Sequence, residues 1–453
     1  MSYVPNTRQE QQAMLEHLGL SSIEDLLETV PDNVRLERPL ALPPARSEPD
    51  LKRLLSNMAA RNKNLDTTIS FLGAGTYDHA IPSIVPHLQN RSEFVTSYTP
   101  YQPEVSQGML QAIYEFQTMV CQVTGLDIAN ASLYDGSTAL VEAVLLALGP
   151  GGRGEVVIST GVDPQYRRVL HTYAFARGFH VKEVVVQNGV TSIEALDAAV
   201  SPTTAAVVIQ QPNFFGCVED VHAIEAIAHK GKALFVTTIT EPASLGILTP
   251  PGAYGADIAV GEMMSFGNTM SYGAPALGFM AAKQKFMRLL PGRLVGQTIE
   301  EGGSKQTGYV LTLQTREQHI RRERATSNIC TNQSLLAVGA TIFLAALGKQ
   351  GFRAMSELCL QKAHYAFRQI TAIPGFEAAF SSPFFDEFVI KLPVSSDRLQ
   401  QHFEQVGMLG GYPLDKSYPG MENCMLFCVT ETRTREDIDL LVSVLKELRE
   451  VQR

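Results

Sequence analysis

The chain has 453 residues, of which 45% are hydrophobic and 18% charged, and its formal net charge is −9. This balance is typical of soluble globular proteins and excludes long disordered segments. The mild acidic excess argues against nucleic-acid binding, which needs a concentrated basic face. The polar N-terminus does not look like a signal peptide, and the sequence contains no long uncharged apolar run. We therefore expect a cytoplasmic protein with neither nucleic-acid nor membrane partners.

The first segment, residues 1–65, is predicted to be a helical arm followed by an extended connector. Ser21 and Glu24 have the spacing of a capping box ahead of apolar positions. Prolines recur between residues 33 and 50, where they favour an extended backbone over a helix. We expect such a connector to lie against another chain.

Residues 66–330 alternate helical and strand-like segments, which indicates a large α/β domain. Apolar positions three and four residues apart predict helices, and short apolar runs rich in β-branched residues predict strands buried on both faces. Thr191 and Glu194 suggest a second capping box. The predicted helices are 104–125, 139–148 and 191–199, and the predicted strands are 155–159, 181–186, 205–210 and 233–239. This order favours a mainly parallel sheet with helices on both faces.

Residues 331–453 have a different pattern and are predicted to form a small C-terminal α/β domain. We expect two helices packed on a small antiparallel sheet. The predicted helices are 331–348, 397–406 and 434–450, and the predicted strands are 376–380, 386–393 and 424–430.

Two patterns that often mark functional sites have ordinary explanations in this chain. Residues 149–154 match GxGxxG, but they follow a helix and precede a strand, which is the reverse of the dinucleotide-binding order. The six cysteines lack CxxC spacing and have apolar neighbours, which predicts free thiols in the core. No metal site is therefore expected.

The most unusual local chemistry lies between residues 71 and 108. The stretches FLGAGTYDHAIP and SYTPYQPEVSQG combine tyrosines, amides and acids with prolines that fix the backbone. Such a stiff polar loop favours a small-substrate or interface site, and the alternative is a structural loop whose tyrosines pack on a neighbour. The candidate site residues are Tyr77, His79, Tyr98, Tyr101, Gln102, Glu104 and Gln107.

A second candidate is the DGST loop at residues 135–138, which precedes a helix. Backbone N–H groups and the hydroxyls of Ser137 and Thr138 would face an anion there, as in cofactor binding. The alternative is simple N-capping of the helix by Asp135 or Ser137.

Longer strings carry a family resemblance, namely SYTPYQPEVSQG, YEFQTMVCQVTGLDIANASLYDGSTALVEA, and GADIAVGE followed by SYGAPALGFMA. They closely resemble the N-terminal half of glycine decarboxylase, the P-protein of the glycine cleavage system, and the likeness runs essentially end to end. The length resembles that of subunit 1 in the two-chain form of that enzyme. The resemblance implies fold type I of the pyridoxal-phosphate (PLP) enzymes, with a large, mainly parallel α/β domain and a small C-terminal α/β domain. It also implies decarboxylation of glycine and transfer of the aminomethyl group to the lipoyl arm of the carrier H-protein.

The chain departs from this family at the lysine that would form a Schiff base with PLP. Met264 and Ser265 stand where the catalytic subunit carries histidine and lysine, and no lysine follows before Lys283. A hydroxyl cannot form an imine, so the chain alone is predicted to hold no PLP covalently. The segment ALFVTTITEPAS also lacks the usual aspartate for the pyridine nitrogen and offers only Thr240 or Glu241.

The resemblance therefore implies the non-PLP subunit of glycine dehydrogenase (decarboxylating), active only with a subunit 2 that carries PLP, in an α2β2 assembly. The Tyr98–Gln107 loop, with Tyr77 and His79, would complete the partner's site at the subunit interface. One alternative is an inert scaffold that stabilises subunit 2 and docks the H-protein. Another alternative, a lyase or aminotransferase acting alone, is disfavoured by the missing lysine.

Overall fold

The structure is a computed structural model that describes residues 6–36, 38–149, 153–271, 276–301 and 306–450. The chain folds as two compact units, Met1–Lys63 and Asn64–Arg453. The predicted division of the second unit at residue 330 stays a prediction.

The helices are α1 (Arg8–Leu18), α2 (Glu48–Ala59), α3 (Ile84–Gln89), α4 (Ser92–Val95), α5 (Gln107–Thr124), α6 (Gly136–Leu148), α7 (Pro164–Arg177), α8 (Ile193–Ala199), α9 (Val221–Lys230), α10 (Gln318–Arg321), α11 (Ser334–Thr371), α12 (Ser396–Gln405) and α13 (Arg435–Glu450).

The strands are β1 (Ile69–Ser70), β2 (Ile128–Ala129), β3 (Glu155–Ser159), β4 (His180–Val184), β5 (Val186–Gln187), β6 (Val190–Thr191), β7 (Thr204–Gln210), β8 (Leu234–Ile239), β9 (Ile258–Glu262), β10 (Gly278–Ala282), β11 (Val295–Ile299), β12 (Thr307–Leu311), β13 (Glu377–Ala378), β14 (Glu387–Lys391), β15 (Met408–Leu409), β16 (Tyr412–Pro413) and β17 (Cys424–Cys428).

The first unit contains α1 and α2, and its N-terminal helix has a capping box that the sequence analysis did not identify. Thr7 accepts a hydrogen bond from the backbone N–H of Glu10, whose side chain in turn accepts from the Thr7 backbone. The predicted box at Ser21 and Glu24 is wrong. Asp25 instead accepts hydrogen bonds from the backbone N–H groups of Ser21 (2.7 Å) and Ser22 (2.8 Å). Asp25 thus accepts the hydrogen bond from the Ser21 backbone that a capping box would have assigned to Glu24.

The main sheet of the second unit has the strand order β2-β10-β9-β8-β7-β3-β4 within the described residues. Strands β3, β4, β7, β8 and β9 are parallel to one another, whereas β10 is antiparallel to β9 and β2. Neighbouring residues of β3 point to opposite faces, so Val157 and Ile158 lie in different core clusters. The predicted mainly parallel sheet is therefore confirmed, with β3, β7, β8 and β9 buried on both faces. The strand predicted over 181–186 differs, because β4 is an edge strand that is mostly exposed and ends at Val184.

The smaller sheet has the order β13-β14-β17-β16 and is antiparallel, as predicted. Leu399 of α12 and Leu441 of α13 lie in the same core cluster as Phe388 and Phe427 of this sheet. Ala363 and Ile370 of α11 belong to this cluster too, so three helices rather than the expected two bury one face of the small sheet.

Helix α11 extends well beyond the predicted 331–348, because Gly348 interrupts it without ending it. Gly348 has φ 59° and ψ −179°, and the chain then resumes a helical path as far as Thr371. By length and composition this helix could cross a membrane. However, Ala337, Phe343 and Cys359 lie in a core cluster of the second unit. The apolar character of α11 is therefore that of a core helix.

Three smaller predictions also needed correction or completion. Helix α8 is capped by Ser192 rather than Thr191, because Thr191 belongs to β6 and donates its hydroxyl to Glu219. The GxGxxG match does join α6 to β3, although its residues 150–152 lie outside the described residues. Among the cysteines, all free, Cys330 is exposed rather than buried.

The turn after β7 depends on Gly216, which has φ +78° and whose carbonyl accepts a hydrogen bond from the backbone N–H of Phe385. A Cβ atom at this position would overlap the backbone carbonyl of Glu387. Gly420 has a similar φ of +88° but open space around its Cβ position.

We predict that Gly420→Ala costs about 1–2 kcal/mol of unfolding free energy from backbone strain alone. Gly216→Ala should cost roughly 1–3 kcal/mol more because of the overlap. Urea unfolding of both variants measures the difference, and equal losses would contradict this account.

Candidate functional site

A connected set of polar side chains lies where the parallel strands end. The backbone N–H of Asp163 donates to Gln210 Oε1 (2.9 Å), and Gln210 Nε2 donates to Thr240 Oγ1 (3.0 Å). Asp163, Gln210 and Thr240 come from the carboxyl ends of β3, β7 and β8. Ligands of open α/β sheets bind outside this edge, so we take it as the candidate site.

Ser265 lies in the turn that follows β9 and is 6% exposed. Glu262, at the end of β9, accepts hydrogen bonds at Oε1 from the backbone N–H groups of Met264 (3.1 Å) and Leu277. One carboxylate therefore fixes both sides of the segment that holds Ser265. Burial raises the pKa of Glu262 to about 7.

Lys283 cannot take the place of the missing lysine in this geometry. It follows β10 and lies beside Asp257, which precedes β9, so it is at the opposite edge of the sheet. Its Nζ atom is 2.9 Å from Asp257 Oδ1 and 3.1 Å from the carbonyl oxygen of Gly255. Its amine is thus committed to an ion pair away from the candidate site.

The N-terminus of α6, where an anion was expected near Ser137 and Thr138, is occupied by carboxylates of the chain itself. Asp135 Oδ1 accepts hydrogen bonds from the Ser137 hydroxyl (2.5 Å) and the Thr138 backbone N–H (2.9 Å). Glu262 Oε2 accepts from the backbone N–H of Gly136 (3.2 Å). The structure therefore has the alternative that the sequence analysis left open, in which Asp135 caps the helix. A phosphate at this helix N-terminus would face the carboxylates of Asp135 and Glu262.

Tyr77 is buried at this edge, 3% exposed, with its hydroxyl in a hydrogen-bond network. The hydroxyl donates to Glu387 Oε2 (3.0 Å), accepts from the backbone N–H of Gly75 (3.2 Å) and lies 3.4 Å from Thr240 Oγ1. Burial, together with the charge of Glu387, raises the pKa of Tyr77 well above its usual range. Tyr77 therefore works as a neutral hydrogen-bonding group.

His79 bridges two acidic side chains and is also buried. Its Nδ1 atom is 2.6 Å from Glu431 Oε2, and its Nε2 atom is 3.1 Å from Glu241 Oε2. Burial alone would lower the pKa of His79, but the charge of Glu241 and the hydrogen bonds to its partners raise it well above the usual value. The ring is therefore an imidazolium held between two carboxylates.

Asp386 and Glu387 are two buried acids that the sequence analysis missed. Burial raises the pKa of Glu387 to about 8, and it raises the pKa of Asp386 well above its usual range. Asp386 Oδ2 is buried with no hydrogen-bond partner among the described residues. The available signal was an acidic pair at the start of an otherwise apolar strand, DEFVIK. Nothing in the sequence shows, however, that Tyr77 lies against that pair.

The Tyr98–Gln107 loop forms a separate surface anchored on the hairpin β11–β12. Gln107 Oε1 accepts from the backbone N–H of Tyr309 (2.9 Å), and its Nε2 donates to the Tyr309 carbonyl (2.9 Å). Arg293 donates to the Tyr101 hydroxyl (2.9 Å) and also lies over its ring. Tyr101 and Gln107 therefore hold the loop in place within this chain.

The other members of the loop point outward. Tyr98 is 83% exposed, and Gln102 and Glu104 are exposed as well. None of the hydrogen bonds found among the described residues joins the loop to the network around Tyr77 and His79. The structure thus divides the predicted site residues into a buried cluster and an exposed loop.

Comparisons with known proteins agree on one family. A family model described as the glycine cleavage system P-protein matches residues 1–445. The probable glycine dehydrogenase (decarboxylating) subunit 1 of Geobacillus kaustophilus is 51% identical over 447 residues, which cover 98% of each chain. That of Moorella thermoacetica is 49% identical over 446 residues, covering 98% of this chain and 99% of the relative.

Solved structures confirm the predicted fold type I. The crystal structure of glycine decarboxylase (P-protein) of the glycine cleavage system, in inhibitor-bound form, has a TM-score of 0.90 and 42% identity, covering 99% of this chain and 100% of the other. The C-DES protein, solved as a variant with glycine covalently linked to its PLP cofactor, has a TM-score of 0.62 and 15% identity, covering 86% and 98%. The second likeness concerns the fold alone.

The residues at the carboxyl edge do not fit the PLP that this fold holds in other proteins. Ser265 stands at the position where the family resemblance predicts the imine-forming lysine. The N-terminus of α6, where a phosphate was expected, is capped by Asp135 and Glu262. Glu241 is likewise engaged, because Oε1 accepts from the backbone N–H of Ala243 (2.7 Å) and Oε2 lies against His79. We therefore assign no step of a reaction to PLP bound in this chain.

The buried acid Glu387 should make the stability of the chain depend on pH. Its folded-state pKa, about 8, exceeds the ordinary glutamate value near 4.3. The folded chain therefore binds more protons between these two values, so this contribution is fully present below about pH 4 and is lost as the pH rises through about 8. We predict that Glu387→Gln makes the fall in unfolding free energy between pH 5 and 8 shallower, by up to ~1.4 kcal/mol per pH unit.

Urea unfolding at several pH values measures this slope. Glu377→Gln is the matched control, because Glu377 lies exposed on β13 of the same sheet. In Glu387→Gln, the glutamine keeps the shape of the glutamate side chain and still offers an oxygen that accepts from the backbone N–H of Ala74. An unchanged slope in Glu387→Gln would show that Glu387 is ionised in the folded chain.

Proposed function

This chain belongs to the glycine cleavage system P-protein family, and we propose that it is the subunit of a two-chain glycine dehydrogenase (decarboxylating) that does not carry PLP. The observation that carries this proposal is buried Ser265 at the lysine position, beside a helix N-terminus that is already capped by carboxylates. The electron sink for decarboxylation must then come from a PLP-bearing subunit 2. The cytoplasmic location stays a prediction.

In this proposal the complete enzyme decarboxylates glycine and passes the aminomethyl group to the lipoyl arm of the H-protein, as the family resemblance implies. The two kinds of chain would associate as α2β2. Glycine and the lipoyl group would then meet at the partner's cofactor, and this chain would supply neighbouring side chains rather than the cofactor itself.

The exposed Tyr98 loop supports a role at the subunit interface. Tyr98 is largely exposed, although the loop that carries it is pinned through Gln107 and Tyr101 and contains fixed proline residues. A stiff exposed tyrosine loses little conformational entropy when a partner covers it, and tyrosine and arginine are enriched in interfaces. We therefore propose this loop, rather than the buried Tyr77 and His79, as the part that approaches the partner's site.

The first unit of the chain supports an interface in the same way. Leucines with at least a third of their surface exposed recur along it, at Leu18, Leu26, Leu27, Leu36, Leu40, Leu42, Leu51, Leu54 and Leu55. Apolar surface on this scale usually marks a protein contact. We propose that subunit 2 covers it.

One observation favours the scaffold alternative. The carboxylates that cap the edge around Ser265, Asp135 and Glu262, accept their hydrogen bonds from this chain's own backbone and hydroxyl groups, so neither is free to act on a substrate. A scaffold would stabilise subunit 2 and dock the H-protein without contributing to the reaction. The two functions make different predictions for Tyr98.

We predict that glycine–bicarbonate exchange requires both chains, because this chain lacks an imine-forming amine. Borohydride reduction of the complex, followed by peptide mapping, should find pyridoxyl-lysine in subunit 2 and none in this chain. A second reduction uses this chain alone with added PLP. Lys283 should then stay unlabelled, because its amine is paired with Asp257. Stoichiometric labelling of Lys283, or exchange activity without subunit 2, would refute the proposal.

Tyr98→Phe distinguishes a working half-site from a scaffold. If the hydroxyl contacts a charged group at the partner's site, its loss should cost roughly 1.5–3 kcal/mol, which is about one to two decades in kcat/KM. The ring remains, so assembly measured by size-exclusion chromatography should not change. Val105→Ala, at another highly exposed position of the same loop, is the control that removes surface without a polar group. Tyr98→Phe activity within a factor of two of wild type would favour the scaffold.

A further inference from the structure

Three potential metal ligands meet at His79, although no spacing pattern in the sequence indicated them. The Nδ1 or Nε2 atoms of His79, Sγ of Cys359 and a carboxylate oxygen of Glu431 offer ligand atoms within 4.8 Å of one another. His79 Nδ1 is 2.6 Å from Glu431 Oε2, which is 3.3 Å from Cys359 Sγ. The residues come from the loop before α3, from α11 and from the segment after β17. The cluster therefore joins three distant parts of the second unit.

The donor set and its spacing suit Zn²⁺. Imidazole nitrogen, thiolate and carboxylate are the ligands that zinc uses, with bond lengths of roughly 2.0–2.3 Å. Ligand atoms at those lengths around a tetrahedral ion stand roughly 3.3–3.8 Å apart. The distance of 3.3 Å between Sγ and Oε2 already fits, and the 2.6 Å between Nδ1 and Oε2 must open by under about 1 Å. Three protein ligands leave the fourth position for water.

Both polar ligands are held from behind by groups that leave the inner atoms free for an ion. Glu241 Oε2 lies 3.1 Å from His79 Nε2 and so would hold the tautomer in which Nδ1 faces the metal. Glu431 Oε1 accepts from the backbone N–H of Ala80 (2.8 Å), which leaves Oε2 directed at the cluster. Carboxylate support behind a ligating histidine is the usual arrangement in metal sites.

The surrounding charge also favours a cation. The carboxylates of Glu241 and Glu431 both lie against His79, at 3.1 Å from Nε2 and 2.6 Å from Nδ1. Lys362 donates to the backbone carbonyl of Glu431 rather than to its carboxylate. A divalent ion at the cluster would therefore face two carboxylates, which attract it.

We propose that His79, Cys359 and Glu431 form a Zn²⁺ site with water as the fourth ligand. On binding, the thiol and the imidazolium each lose one proton to solvent while one Zn²⁺ enters, so the net charge of the cluster does not change. The bound ion would clamp the loop before α3, helix α11 and the segment after β17 together. The competing account is a hydrogen-bonded cluster in which the imidazolium alone bridges the two glutamates.

Metal titration of the full chain separates these accounts. After treatment with a chelator, the chain is titrated with Zn²⁺ against a competing metal indicator, and with Co²⁺ as a spectroscopic probe. We expect one saturable equivalent of Zn²⁺ and a thiolate-to-cobalt charge-transfer band that Zn²⁺ removes. Zn²⁺ should also raise the Tm of the chelated chain. The proposal would be overturned if Zn²⁺ binding did not saturate, or if Co²⁺ bound but gave no charge-transfer band. Neither result depends on a variant.

Variants then assign the site to its residues. Cys359→Ser should abolish the charge-transfer band and weaken Zn²⁺ binding at least about 100-fold, since the soft ligand is lost. Glu241→Gln, which contacts the histidine but not the ion, should weaken binding by about 10–100-fold. Cys121→Ser is the matched control, because Cys121 is a free, half-buried cysteine outside the cluster. Binding that survives Cys359→Ser unchanged, or that is lost in Cys121→Ser, would place the metal elsewhere.

Discussion

The structure depends on burying carboxylates at the carboxyl edge of the main sheet, where this fold holds its cofactor in other proteins. Glu262 is the central one, because its two oxygens fix the first amide of α6, the turn before Ser265 and the backbone at Leu277. A buried carboxylate is tolerated only when hydrogen bonds or protonation compensate the loss of water. The chain supplies that compensation from its own backbone, so its edge is complete without a phosphate.

The regular elements could be predicted from sequence wherever a strand is buried on both faces or a helix has one apolar face. Strand β3 was predicted with its correct bounds, because continuous β-branched residues such as Val156 and Val157 leave few alternatives. The cap of α8 was predicted wrongly as Thr191, because Thr191 and Ser192 are both good capping residues and only the tertiary contact of Thr191 with Glu219 leaves Ser192 as the cap. The helix predicted over 331–348 continues to Thr371, because residues on both sides of Gly348 pack into the core.

The candidate site could be predicted only where its signal is local. Ser265 was identified through the family resemblance, by counting to the position of the family's lysine, and Tyr77 and His79 by the unusual composition of one loop. Their partners Glu387 and Glu431 lie more than three hundred residues further along the chain, and nothing in their own surroundings marks the contact. Sequence reasoning therefore identified Tyr77 and His79 but not their partners. It grouped both residues with the Tyr98–Gln107 loop as parts of one site at the subunit interface.

The division into a buried cluster and an exposed loop keeps the metal site and the subunit interface independent. His79 lies between Glu241 and Glu431, whereas Tyr98 projects from a loop pinned to the hairpin β11–β12. A group that is buried within one chain can stabilise it, but it cannot reach a cofactor held by another chain without rearrangement. An exposed tyrosine on a stiff loop can reach a partner, but it adds little to the stability of its own chain. Changes at the cluster should therefore appear in metal affinity and unfolding, and changes at Tyr98 in the catalysis of the assembled enzyme.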